Sequence, residues 1–340
     1  MCSLRAQIPP QSLSEAAAVI SSESLLSSAP LGTPPVTAIL FPGQGAQVVG
    51  MAGEWCDSHP LAAKLFARAH AIVGYDLLDI CRHGPASTLN TTAVSQPAIL
   101  VTSLAALEVL RSRSDQAAGA GVLAKATITA GLSLGEYTSL VFANAIDFDD
   151  AVRLVDARGR AMQACAEARP GAMLAVLGLD RGRLEALCQE SRQADVLQIA
   201  NVLCPGNIVV SGSKEACQRL DLAAMRAGAM KCIALEVAGA FHTEFMQAAV
   251  EKLSSCLNAA TIRPPRIPVV SNVDARPHDD PDEIRSLLAR QVVGVVEWEA
   301  SMAYLLSTGV QNVWEVGPGR VLRGLLKRID RSLVCSGVFD

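Results

Sequence analysis

The chain has 340 residues, half of them hydrophobic and 18% charged, with a formal net charge of −4. Such length and apolar content predict one large domain or two modest ones around a sizeable core. The mild negative charge argues against nucleic acid as the main partner, and the lack of a run of about 18 apolar residues argues against a membrane-spanning helix. Ten scattered cysteines without a C-x-x-C pair read as reduced core thiols in a cytosol-like compartment. The five histidines have no clustered ligands beside them, so no metal site is expected.

Residues 1–35 are rich in serine and alanine, with prolines at 9, 10, 30, 34 and 35. They read as a disordered leader. Arg5 is the only basic residue there, beside Glu15 and Glu23, which suits a plastid or mitochondrial transit peptide poorly; that address is the alternative to a cytoplasmic one. Residues 36–41 are the first predicted strand. They run into Pro42-Gly43-Gln44-Gly45-Ala46-Gln47, a glycine-punctuated loop that either turns the chain or brings backbone N–H groups to a site. Residues 61–110 are mainly helical, with Ser95-Gln96-Pro97 as a breaker before an apolar stripe at Leu100, Leu104, Leu107 and Leu110.

A strand over 126–130 then meets Gly131-Leu132-Ser133-Leu134-Gly135, and helical spacing resumes at Tyr137. A serine between two glycines at a strand-to-helix turn is the pattern of a nucleophile elbow. Residues 148–162 form a helix carrying Arg153, Arg158 and Arg160, each of which alone reads as a solvated face residue. Pro170-Gly171 marks a boundary. Strands at 172–179, 196–200, 208–211 and 230–235, with helices at 181–190 and 214–227, give the order β-α-β-β-α-β, a split βαβ arrangement. The larger pattern returns with a helix starting at Thr243, a strand at 268–273, a helix at 283–290 and a strand at 313–316 before Gly317-Pro318-Gly319. Strands alternating with helices imply a mostly parallel sheet. The expected fold is α/β: an α/β-hydrolase-like large subdomain over 36–168 and 236–340, with a ferredoxin-like small subdomain inserted at 169–235.

A serine hydroxyl needs a base to act as a nucleophile near neutral pH. His59, His70, His83 and His278 lie in helices or ordinary loops. His242 follows the serine in chain order, in a small-residue loop at a helix start, and reads either as that base or as a capping or core histidine. Asp156, Asp180 and Asp195 lie between the two, but none has a distinctive setting for orienting an imidazole; a backbone carbonyl is the other option.

Four motifs in order, Phe41-Pro42-Gly43-Gln44-Gly45-Ala46-Gln47, Gly131-Leu132-Ser133-Leu134-Gly135-Glu136, Gly239-Ala240-Phe241-His242 and Val316-Gly317-Pro318-Gly319, resemble the malonyl-CoA:acyl carrier protein transacylases, the acyltransferase family of fatty acid and polyketide synthesis. The resemblance spans about 36–329. It implies Ser133 as the acyl-bearing nucleophile, His242 as its base, and the Gln291 backbone carbonyl as the group orienting that histidine. It further implies the backbone N–H groups of Gln44 and Leu134 as the oxyanion hole, and Arg158 as the ligand of the malonyl carboxylate, a bidentate task that suits its planar fork. Phe241 would line the acyl pocket and disfavour an α-methyl branch. Malonyl-CoA and the phosphopantetheine arm of acyl carrier protein are the implied substrates, with no cofactor or metal, in a monomer. Carrier proteins are acidic, so a basic surface is expected near the cleft, with Arg160, Lys231 and Arg320 as candidates. The alternatives are a discrete acyltransferase of a polyketide pathway, a thioesterase or editing hydrolase on the same elbow, and a non-catalytic docking subunit. Two departures stand out: Leu132 replaces the histidine that many members carry before the serine, and Gly239 replaces the first histidine of the polyketide His-Ala-Phe-His pattern.

Overall fold

A computed structural model describes residues 36–112 and 119–338; the reading of 1–35 as a leader lies outside them. The strands are β1 (Val36–Phe41), β2 (Ala126–Gly131), β3 (Ala172–Leu177), β4 (Leu197–Cys204), β5 (Asn207–Gly212), β6 (Lys231–Ala234), β7 (Val269–Val270), β8 (Val296–Glu297), β9 (Val310–Glu315) and β10 (Cys335–Gly337). They form two five-stranded sheets.

The first sheet has the order β10-β9-β1-β2-β7, and every pairing in it is parallel. Parallel neighbours need long crossovers, and helices supply them here on both faces. Successive residues of β1 therefore enter different cores. Ile39 and Phe41 join the larger apolar cluster, and Ala38 and Leu40 join a second one with Trp298 and Met302. Such a strand reads as a continuous apolar run, which is why it was legible from sequence.

The second sheet has the order β6-β3-β5-β4-β8. β3 and β5 are central and antiparallel, flanked by β6 and β4, as a split βαβ unit requires. Its own core packs the helices Arg181–Arg192 and Lys214–Arg226 onto one face. A fifth strand, β8, comes from residues far beyond this stretch and pairs in parallel with β4.

Three features depart from the sequence expectation. The helix Thr92–Ser112 runs straight through Ser95-Gln96-Pro97. Pro97 falls in its second turn, where it forfeits one N–H donor, and burial of nearly the whole helix outweighs that local cost. The same helix is long and apolar enough to cross a membrane, but 83% of its apolar window is buried inside the protein. The strand expected at 268–273 shortens to Val269–Val270, because Ser271 N–H turns back to the Arg276 carbonyl and Asn272 bends towards the elbow.

Candidate active site

β1, β2, β7 and β9 all point their carboxyl ends to one place, and the loops that leave them build the site. The elbow leaves β2. A Cβ on Gly131 would lie 1.9 Å from the Gly135 carbonyl carbon, and one on Gly135 would lie 2.2 Å from the Phe41 carbonyl oxygen. Only glycine permits this approach of turn, strand and helix. Ser133 itself has φ 49°, a left-handed conformation that costs about 1–3 kcal/mol for a residue with a Cβ. Asn272, from the end of β7, holds it there. Its Oδ1 accepts from Ser133 N–H at 2.6 Å, and its Nδ2 donates to the Gly131 carbonyl at 2.8 Å.

His242 also has a left-handed backbone, with φ 59°. The Thr243 hydroxyl donates back to the Ala240 carbonyl, and Gln198 Nε2 donates to the His242 carbonyl at 3.2 Å. The ring's Nδ1 lies 2.8 Å from the Gln291 carbonyl, and its Nε2 lies 3.0 Å from Ser133 Oγ. A carbonyl can only accept, so the proton sits on Nδ1 and Nε2 is left to accept from the serine hydroxyl. Burial first, and the Arg158 charge second, push the imidazole down to about 4, against the backbone contacts at Gln291 and Gly294. The resting histidine is therefore neutral. The three candidate aspartates go elsewhere. Asp156 pairs with Arg160, Asp195 pairs with Arg219, and Asp180 caps the helix Arg181–Arg192.

Arg158 lies on the helix Phe148–Ala168 and is 2% exposed, unlike Arg153 and Arg160, which form solvent-facing pairs with Asp150 and Asp156 on the same helix. Its acceptors are all neutral: Gln96 Oε1 at 2.6 Å, Ser133 Oγ at 3.0 Å and Gln291 Oε1 at 3.0 Å. The Tyr137 ring lies 5.6 Å from its guanidinium carbon. Burial lowers its pKa, and Tyr137 and Glu136 oppose that. Among the described residues no carboxylate forms an ion pair with it. A buried guanidinium without a paired anion is costly, and an incoming carboxylate removes the cost.

The half-buried Gln44, after β1, and the buried Leu134, at the start of the helix Gly135–Phe142, complete the group. Their backbone N–H groups take no hydrogen-bond partner among the described residues. Phe241, 5% exposed, packs in the larger apolar cluster next to His242. Ser133, His242, Arg158 and Gln291 are thus in direct contact.

Sequence reading missed four groups that hold the site: Asn272, Gln96, Gln198 and the side chain of Gln291. It quoted Glu136 but gave it no task. Its carboxylate is 4% exposed, and Oε2 accepts from Asn272 N–H at 3.0 Å and Gln291 Nε2 at 2.7 Å. A carboxylate in an otherwise apolar helical stretch was the available signal.

The fold and site define an enzyme of acyl-group chemistry. The family model described as "Acyl transferase domain" matches residues 39–328, and the chain belongs to that family. The "Malonyl CoA-acyl carrier protein transacylase" of Escherichia coli (strain K12) is 40% identical over 301 residues, covering 88% of this chain and 95% of that protein. The human "Malonyl-CoA-acyl carrier protein transacylase, mitochondrial" is 39% identical, covering 85% of this chain and 76% of that protein. Among solved structures, the Coxiella burnetii malonyl CoA-acyl carrier protein transacylase superposes with a TM-score of 0.84 at 34% identity, over 90% of this chain and 94% of that one. A malonyl-transacylase solved with a type II PKS acyl-carrier protein gives 0.83 at 37% identity, over 90% and 96%.

Proposed function

We propose that this enzyme moves a malonyl group from malonyl-CoA to the phosphopantetheine thiol of acyl carrier protein, supplying fatty acid synthesis. The observation that carries the reading is Arg158: a buried cation with only neutral partners, donating to the same Oγ that faces a neutral imidazole. A diacid's free carboxylate meets that charge while its thioester carbon reaches Ser133.

The transfer then takes two balanced halves. Ser133 Oγ attacks the thioester carbon as its proton passes to His242 Nε2. The carbonyl oxygen takes the negative charge between the Gln44 and Leu134 N–H groups. The C–S bond breaks, the CoA sulfur takes the proton from His242, and a malonyl-serine ester remains. The carrier thiol gives its proton to His242 and attacks the ester, and the serine oxygen recovers that proton as it leaves. Phe241 crowds the α-carbon, so methylmalonyl should be disfavoured by ~10–200-fold.

No step calls for a cofactor or metal. Cys56, Cys81, Cys165, Cys188, Cys204, Cys217, Cys232 and Cys256 form no disulfide, which suits a reducing compartment. For the carrier, Lys231 on β6 and Arg320 beyond Gly319 are exposed, whereas Arg160 is already held by Asp156. The enzyme acts as a monomer in this reading.

Intact-mass measurement after mixing with malonyl-CoA tests it. Wild type should gain one malonyl adduct and lose it to carrier protein; Ser133→Ala should gain none. Arg158→Ala should lose malonyl transfer while its relative use of acetyl-CoA rises. An undiminished adduct on Ser133→Ala, or unchanged acyl selectivity in Arg158→Ala, overturns the assignment.

A further inference from the structure

The geometry points to Glu136 as a positioning residue for acyl-group selection, acting by locking the Gln291 amide so that its oxygen, and not its nitrogen, faces Arg158. The inference rests on the malonyl-transfer reading above.

A glutamine amide has a donor end and an acceptor end of nearly the same shape, so its orientation is decided by its neighbours. At Gln291 the neighbours differ sharply. On one side stand two acceptors, the Ser133 carbonyl at 3.1 Å and Glu136 Oε2 at 2.7 Å, and Nε2 has one hydrogen for each. On the other side stands Arg158 Nη2, a pure donor, 3.0 Å from Oε1. A flipped amide would set NH₂ against the guanidinium and a carbonyl oxygen against two other oxygens. Glu136 supplies the shorter of the two contacts that forbid this.

The carboxylate is itself built in. Gln291 is 0% exposed and Glu136 4%, and Asn272 N–H donates to the same Oε2. Burial raises the carboxyl to about 7 despite the hydrogen bonds from Asn272, Gln291 and Ser271 and the nearby Arg158. Charged or neutral, Oε2 keeps lone pairs for both donors, so acceptor geometry and not net charge is what Gln291 reads. The Glu136 carboxylate makes no hydrogen bond to Ser133 Oγ; only the Glu136 backbone N–H reaches that residue, donating to the Ser133 carbonyl at 3.2 Å. Through one amide it fixes the Ser133 main chain on one side and the guanidinium on the other.

The test compares kcat/KM for malonyl-CoA and acetyl-CoA in wild type, Glu136→Gln and Glu136→Met. Glutamine can place its carbonyl where Oε2 now sits, so Glu136→Gln should keep malonyl selectivity within about threefold. Methionine has the length but no comparable acceptor, so Glu136→Met should lose ~10–100-fold in malonyl selectivity, the range expected when a hydrogen bond to a charged group is spoiled. A role in folding alone would lower both substrates together and leave the ratio unmoved; that result overturns the proposal. So does loss of selectivity in Glu136→Gln equal to that in Glu136→Met. If Glu136→Met does not fold, Glu136→Asp, which withdraws the acceptor by one methylene, carries the same two outcomes. A wild type with no preference for malonyl would instead refute the functional reading on which this rests.

Discussion

The two sheets contribute unequally to the site. The parallel sheet sends four strand ends to one point, and Gln44, Ser133, Asn272 and the Gly317-Pro318-Gly319 loop leave from them. The mixed sheet has its own core and, among the described residues, reaches the site by the bond from Gln198 on β4 to the His242 carbonyl and by that from Glu297 N–H on β8 to the Asn272 carbonyl at 2.8 Å. The difference follows from strand direction. In a parallel sheet all carboxyl ends lie on one edge, so loops from distant parts of the chain meet there. An antiparallel sheet sends alternate strand ends to opposite edges, so it serves better as a wall than as a source of catalytic groups.

The largest expected effect comes from filling the tight contact at the parallel edge. An alanine at Gly135 would put a methyl 2.2 Å from the Phe41 carbonyl oxygen and 2.9 Å from its carbon, and backbone cannot swing aside as a side chain can. Gly135→Ala should cost more than about 3 kcal/mol of stability, beyond the usual range for overpacking against side chains. In the mixed-sheet half, Gly182 has only Asp180 Oδ1, at 3.5 Å, near its would-be Cβ, and it lies in the first turn of a helix. Gly182→Ala should shift stability by no more than about 1 kcal/mol. Urea midpoints of the two variants compare them directly; equal losses would mean the parallel edge is no tighter than the rest.

That contrast also explains what the sequence made legible. Gly131 and Gly135 bracket Ser133 because no other residue fits, so a local steric demand left a local mark. β1 was plain because both its faces are buried. The β-α-β-β-α-β order was plain because each of its elements has its own period and turn. Asn272, Gln96 and Gln198 left no such mark. Each is a single polar residue whose value depends on a partner more than 40 positions away. Gln96 was hidden further by Pro97, whose local signal for a break is overridden by the burial of its helix. Arg158 by its own pattern is one of three arginines on a helix; the resemblance alone gives it a task, and the fold turns it inward. Strand β8 is two residues long, below what any periodicity can reveal.

A second effect separates the buried centre from the surface by pH. His242 is held down to about 4, so between pH 4 and its unfolded value near 6.5 the unfolded chain binds a proton that the folded chain refuses. Its contribution to stability is therefore lost as pH falls through that window. Glu136 acts in the opposite sense: raised to about 7, it binds a proton in the folded state that the unfolded carboxylate lacks, and this contribution is present below about 4.5 and lost as pH rises through 7. The two oppose each other from about pH 4.5 to 6.5, so His242→Ala should gain stability relative to wild type as pH falls across that range. In the proposed mechanism His242 is the base, so the acid limb of kcat/KM for malonyl-CoA, which reports the base in the free enzyme, should lie near 4. A limb at 6.5 would mean that the imidazole titrates like a surface histidine and that the site admits water.

The smallest effect is the most direct probe of the mixed sheet. The bond from Gln198 Nε2 to the His242 carbonyl is 3.2 Å long and only half-buried, the ring is already fixed at Nδ1 by Gln291, and the Thr243 hydroxyl ties the loop back to the Ala240 carbonyl. A neutral hydrogen bond of this kind contributes about 0.5–1.5 kcal/mol, so Gln198→Ala should lower kcat by about two- to tenfold. KM for malonyl-CoA should hold, because Gln198 makes no contact with Arg158. A hundredfold fall in kcat would place the mixed sheet among the elements that set the histidine's geometry. A fall confined to KM would instead mean that β4 faces the bound substrate, and that the wall of the cleft, not the base, is what this sheet supplies.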